Sequence, residues 1–218
     1  GAYHGNHDAI QISVVPPLGQ AGDAESPEAI KAFPGISETS VDDIFIAPFN
    51  DIMSAERIIR EHADELAAVI VEPVNGQCGM VPGTSEFLEG LRRVTEELGI
   101  VLIFDEVIAF RIAYGGAQDY YGITPDLTCF GKVIGGGMPV GAFGGREDIM
   151  SMWDPTNGGA TVQHAGTFNG NPMTAAAGVA TLENLTPDKF EYLDNLGESL
   201  RSKLRALFAE LEVPMGVT

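Results

Sequence analysis

Three short apolar runs punctuate the chain. Ala67-Ala68-Val69-Ile70-Val71 stops at Glu72-Pro73, Ile100-Val101-Leu102-Ile103-Phe104 stops at Asp105-Glu106, and Leu127-Thr128-Cys129-Phe130 stops at Gly131-Lys132. Runs of this length, rich in β-branched residues, are too short for helices and predict buried strands of a parallel sheet. Pro139 to Phe143 reads as a further strand. Between the runs the period changes to that of a helix. After Asn50-Asp51, the residues Ile52, Ala55, Ile59, His62 and Leu66 fall on one face. Thr84 or Ser85 caps a second helix with Glu86 in its first turn, a stripe of Phe87, Leu88, Leu91, Val94 and Leu98, and Gly99 as its stop. Strands alternating with amphipathic helices predict an α/β fold, a mostly parallel sheet with helices on both faces. Residues 8–45, broken by Pro16-Pro17, Gly19, Gly22, Pro27 and Pro34-Gly35, read as an extended surface segment. Thr186-Pro187-Asp188 opens a long amphipathic helix through Phe190, Leu193, Leu196, Leu200, Leu204, Phe208 and Leu211. The expected division is therefore a large domain over 1–185 and the start of a smaller one over 186–218.

Composition narrows the function classes. With 218 residues, 44% hydrophobic and 20% charged, the chain can bury a core and does not have a disordered composition. Twelve Lys plus Arg against 31 Asp plus Glu leave a net charge of −19. Scattered cations in that acidic field argue against a nucleic-acid partner, which needs clustered Lys and Arg. No apolar run approaches the roughly 18 residues that would span a bilayer, so no membrane association is expected. The opening Gly-Ala-Tyr-His-Gly-Asn-His-Asp has neither the basic nor the apolar region of a signal peptide. Cys78 and Cys129 make neither a CxxC motif nor a disulfide framework, which fits a reducing, cytoplasmic setting with both as apolar fillers. No metal site is expected.

Candidate chemistry gathers at the strand ends. In open α/β sheets, ligands sit outside the carboxyl ends of the strands. Glu72, Asp105 and Lys132 each stand at or just beyond such an end, 105 − 72 = 33 and 132 − 105 = 27 residues apart. Both separations are near the roughly 30 residues of a strand-helix-strand unit. Of the four lysines only Lys132 lies between an apolar strand and a glycine-rich turn. A lysine desolvated there can lose its proton near neutral pH, as Schiff-base chemistry requires; the plain alternative is a surface lysine at a turn. A buried Asp105 could hold a cofactor's ring nitrogen protonated; the alternative is an acidic strand end facing water. Asp105-Glu106 also resembles the metal-holding strand end of a P-loop ATPase, but no G-x-x-x-x-G-K-[ST] is present. Gly135 to Gly141 does not make G-x-G-x-x-G in a strand-to-helix context, and close backbone packing around a bound ring suits these glycines better.

Taken in order, Tyr3-His4-Gly5, Val71-Glu72-Pro73, Ile103-Phe104-Asp105-Glu106-Val107, Phe130 to Gly137 and His164 to Pro172 resemble the class III, fold type I, pyridoxal-phosphate-dependent aminotransferases. Ala113 to Gln118 and Pro139 to Arg146 are most similar to the glutamate-1-semialdehyde aminomutase-like branch. The resemblance implies pyridoxal 5′-phosphate as cofactor, with Lys132 forming the Schiff base and then carrying the proton. It implies that Asp105 pairs with the pyridine nitrogen, Tyr3 stacks on one ring face, Val107 packs on the other, and Glu72 lies near the cofactor's oxygen edge. It implies that Thr167 reaches the phosphate of a neighbouring subunit's cofactor, in a homodimer or higher oligomer with shared sites. His4 and His164 are expected to be structural or peripheral. Amine and carbonyl small molecules are the implied substrates of a transaminase; an intramolecular aminomutase shares every residue named. Members of the family run to about twice this length, more than one ordinary domain. The chain is thus expected to hold the lysine and ring contacts with only part of the phosphate cup, either within a longer protein or as an incomplete subunit needing a partner chain.

Overall fold

The structure, a computed structural model, describes residues 1–156 and 158–217. Its centre is a four-stranded sheet of β1 (Ala68–Val71), β2 (Val101–Asp105), β3 (Leu127–Gly131) and β4 (Gly141–Gly145), in spatial order β1-β2-β3-β4. The first three strands are parallel and β4 is antiparallel to β3. The register pairs Val71 with Phe104 and Asp105 with Cys129. The three apolar runs thus become the three parallel strands, and the fourth predicted strand forms two residues later than the sequence suggested.

Two helices cover one face. α1 (Ile52–Glu61) is capped by Asp51, whose side chain accepts from the Ser54 N–H, and α2 (Ser85–Leu98) by Thr84, which accepts from the Phe87 N–H. Gly99 closes α2 in the left-handed conformation at φ +70°. Ala55 and Ile59 of α1 and Phe87, Leu88, Leu91 and Val94 of α2 pack on Val71, Leu102 and Phe104, which point to the same side by strand alternation. The opposite side of the sheet is less covered: Val101 and Ile103 are half-buried and Ile70 is exposed. α1 stops earlier than its apolar pattern, so His62 becomes its C-cap and stacks on Phe45, with ring centroids 3.7 Å apart.

Other expectations change more. Residues 8–45 are not simply a surface segment, for they tuck Gln11, Ile12, Ser13, Val14 and Ile36 into the interior and form a short helix, Glu38–Asp42. A short helix, α3 (Gly116–Tyr121), leads to β3. Beyond β4 come α4 (Pro172–Asn184) and α5 (Pro187–Glu210). α5 starts at the predicted Thr186-Pro187, but it buries no residue, and Leu193, Leu196, Leu200, Leu207 and Leu211 stay exposed. Cys78 is exposed and is no apolar filler. No described helix is long and apolar enough to cross a membrane.

Candidate active site

Because β1, β2 and β3 run parallel, their carboxyl ends share one edge, and there the structure brings Glu72, Asp105 and Lys132 together. Glu72 follows β1, Asp105 ends β2 and Lys132 follows β3. Asp105 sits level with Cys129 on β3, and Lys132 lies three residues beyond that level.

Asp105 is 7% exposed and held on both oxygens. Its Oδ1 accepts from the Val107 N–H at 3.1 Å, and its Oδ2 lies 2.8 Å from Nδ1 of His4. An ionised carboxylate only accepts, so this nitrogen carries the proton. Of the two expectations for His4, structural or peripheral, the structure favours the first: its ring is about as buried as the aspartate it holds. Its sequence signal was the pairing of a histidine with the aromatic Tyr3, but nothing in the spacing from residue 4 to 105 could reveal the contact. The reading of Asp105-Glu106 as a solvated acidic end also fails. Glu106 is fully buried and accepts from the N–H groups of Ala117 at 2.6 Å and Gln118 at 3.2 Å, and from Gln118 Nε2 at 3.1 Å, so that it caps α3. Burial pushes its carboxyl above the usual carboxylate range. Burial likewise pushes the Cys129 thiol up, helped by the negative charge of Asp105.

Glu72 is 5% exposed, and both its oxygens are taken by backbone: Oε1 accepts from the Tyr3 N–H at 3.0 Å and Oε2 from the Gly76 N–H at 3.2 Å. Tyr3 is half-buried, and its hydroxyl donates to Asn6 Oδ1 at 3.1 Å. Val107 packs toward Gly131, where an added Cβ would meet Val107 Cγ1 at 3.3 Å.

Of the two readings, a desolvated amine or a surface lysine at a turn, the structure shows the second: Lys132 is exposed, and its turn Lys132–Gly135 follows β3 and packs on α4. Its φ of +48° is unusual for a residue with a side chain, and such strain persists where surrounding packing over-determines the backbone. That packing is visible. A Cβ on Gly136 would land on the Ala177 carbonyl oxygen, and one on Gly178 would land on the Ile134 carbonyl oxygen, so two glycines let the turn and α4 touch backbone to backbone. Within the glycine run, Gly136 thus serves helix contact. Thr167 is exposed in the turn ahead of Asn171, which caps α4 by accepting from the Met173 and Thr174 N–H groups. No described hydrogen bond brings Thr167 to Asp105 or Lys132. His164 sits edge-on to Phe143, the β4 residue paired with Cys129, with ring centroids 5.7 Å apart.

The donor set suits one kind of guest. A locked carboxylate matches a protonated ring nitrogen, a tyrosine near it offers an aromatic face, and a primary amine without a hydrogen-bond partner among the described residues matches a carbonyl on the same ring. Among the described residues no group of three or more His, Cys, Asp or Glu side chains could hold a metal ion.

A family model described as aminotransferase class-III matches residues 1–217. The glutamate-1-semialdehyde 2,1-aminomutase 1 of Staphylococcus epidermidis is 44% identical over all 218 residues, which cover 49% of that protein. Among solved structures, an omega-transaminase from Sphaerobacter thermophilus superposes with a TM-score of 0.95 at 45% identity, covering 100% of this chain and 50% of that one. A glutamate-1-semialdehyde aminomutase from Pseudomonas aeruginosa PAO1, crystallised in complex with PMP, gives a TM-score of 0.75 at 26% identity, covering 100% and 48%. The chain spans about half the length of the relatives it matches.

Proposed function

The chain belongs to the class-III aminotransferase family, and from that premise we propose that it is the lysine-bearing part of a pyridoxal-phosphate-dependent transaminase, moving an amino group from an amine or amino-acid donor to a carbonyl acceptor. The observation that carries this is the strand-end trio: an exposed lysine on a strained turn at the same sheet edge as a buried carboxylate fixed on both oxygens. Pyridoxal phosphate, when bound, supplies the electron sink for breaking a bond at the substrate carbon next to the nitrogen. The rest falls to the chain. Lys132 would hold the cofactor through its amine, with loss of water from the carbonyl, and once displaced by the substrate's amine would take and return the proton at the substrate carbon. Asp105 keeps the ring nitrogen protonated, Tyr3 and Val107 bracket the ring, and Glu72 stands behind Tyr3. Thr167, exposed and without a described hydrogen bond to the trio, suits the role of a phosphate contact offered to a neighbouring subunit, in an oligomer with shared sites. We assign residues 1–185 to the large cofactor domain and the exposed α5 to the beginning of a smaller one. The two free cysteines favour the cytoplasm.

Replacing Lys132 with Ala is expected to abolish the cofactor's visible absorbance shift on binding and to lower turnover by roughly 10²–10⁴-fold or more. A variant that kept both would overturn the assignment. An aminomutase is the second reading, favoured by the names of the relatives at about this identity. A purified protein that needs no separate carbonyl substrate to turn over would decide for it.

A further inference from the structure

We propose that Glu72 is a positioning residue, whose carboxylate grips the backbone of Tyr3 and sets the aromatic wall of the cofactor site without touching cofactor or substrate. The proposal rests on the function proposed above and deepens it.

Residues 2–5 belong to no helix or strand, so side-chain contacts must fix them. Among the described residues, two hydrogen bonds join this stretch to the sheet edge. One runs from the Tyr3 N–H to Glu72 Oε1, and the other from the His4 ring to Asp105 Oδ2. They come from adjacent residues and land on the ends of adjacent strands. The geometry leaves Glu72 little freedom to do anything else. Its second oxygen is held by the Gly76 N–H, where even a Cβ on Gly76 would come within 3.4 Å of Oε2 and overlap Ile108. A carboxylate that accepts two backbone N–H groups while 5% exposed is committed to those groups, because freeing it would leave buried donors unpaired. Glu72 and Asp105 thus make a two-point clamp, so the tyrosine ring and the pyridine-facing carboxylate keep a fixed relation.

The test uses the purified holoenzyme and its cofactor-free form, with the variants Glu72→Gln, Glu72→Ala, Tyr3→Ala and Tyr3→Ala/Glu72→Ala. Glu72→Gln keeps shape and one acceptor, and loses one of the two grips. Its cofactor dissociation constant should rise about tenfold, the equivalent of one lost hydrogen bond. In the cofactor-free protein, hydrogen exchange at the Tyr3 amide should speed up with no change at the β2 amides. If Glu72 acts through Tyr3, adding Glu72→Ala to Tyr3→Ala should weaken cofactor binding less than about twofold further. Three results would overturn the clamp: a shifted visible absorbance maximum in fully loaded Glu72→Gln, additive losses in the double variant, or unchanged exchange at Tyr3. Should the wild type bind no pyridoxal phosphate, the proposed function fails, while the exchange measurement still decides whether Glu72 grips Tyr3.

Discussion

Lys132 has a backbone that a glycine would adopt more easily, at φ +48°. A side chain in that region costs about 1 kcal/mol relative to glycine. The cofactor-free Lys132→Gly variant should therefore melt above Lys132→Ala by roughly 2–4 °C for a chain of this length. Equal melting temperatures would mean the turn is relaxed and the lysine carries no stored strain. At this scale the sequence was legible where a residue's position follows from its strand, as for Asp105 and Lys132, and illegible where it follows from a distant contact. His4 meets Asp105 across a separation of 101 residues, and no local pattern encodes that. The burial of Glu106 is illegible for a related reason: a polar residue at a strand end looks solvated until the N–H groups of Ala117 and Gln118 arrive to satisfy it.

Elements were easier to read than the ties between them. Caps at Asp51 and Thr84 and the stop at Gly99 follow from local hydrogen-bond chemistry, and all three form as the sequence implies. The far end of the sheet is a different matter. Asp126, just before β3, accepts from the Leu102 N–H at 2.8 Å and pairs with Arg92 of α2 at 3.1 Å and with Arg146, which follows β4, at 3.0 Å. Burial opposes its charge, but the hydrogen bonds from Leu102, Arg146 and Arg92 prevail and hold its carboxyl below the usual carboxylate range. A depressed carboxylate stabilises the fold above its unfolded pKa, and the contribution is lost as pH falls through the folded value. Unfolding by urea should therefore become easier below about pH 4, the unfolded carboxylate value. Asp126→Asn should cost about 1–3 kcal/mol at neutral pH and show a shallower acid limb. A variant with the wild-type acid limb would remove Asp126 from the account.

For the whole molecule, charge sets the approach of the cofactor. The chain carries −19, and most of its arginines are already engaged by carboxylates, as in the Arg60–Glu97 and Arg93–Glu56 pairs that lace α1 to α2. A phosphate bearing about −1.5 to −2 therefore meets a repulsive field. Its association rate should rise as salt shortens the screening length from about 30 Å at 0.01 M to about 8 Å at 0.15 M. Stopped-flow absorbance would detect this, and a rate that fell with salt would reveal a positive funnel instead. The reversal of direction between β3 and β4 has a mechanical consequence as well. Lys132 lies in the connection between two neighbouring strands whose five residue pairs run from Leu127 with Gly145 to Gly131 with Gly141. Lys132 is the first residue of that connection, so it is moored directly to the end of the ladder. On the function proposed above, whatever closes over the reacting atoms travels to the lysine, which serves as the anvil.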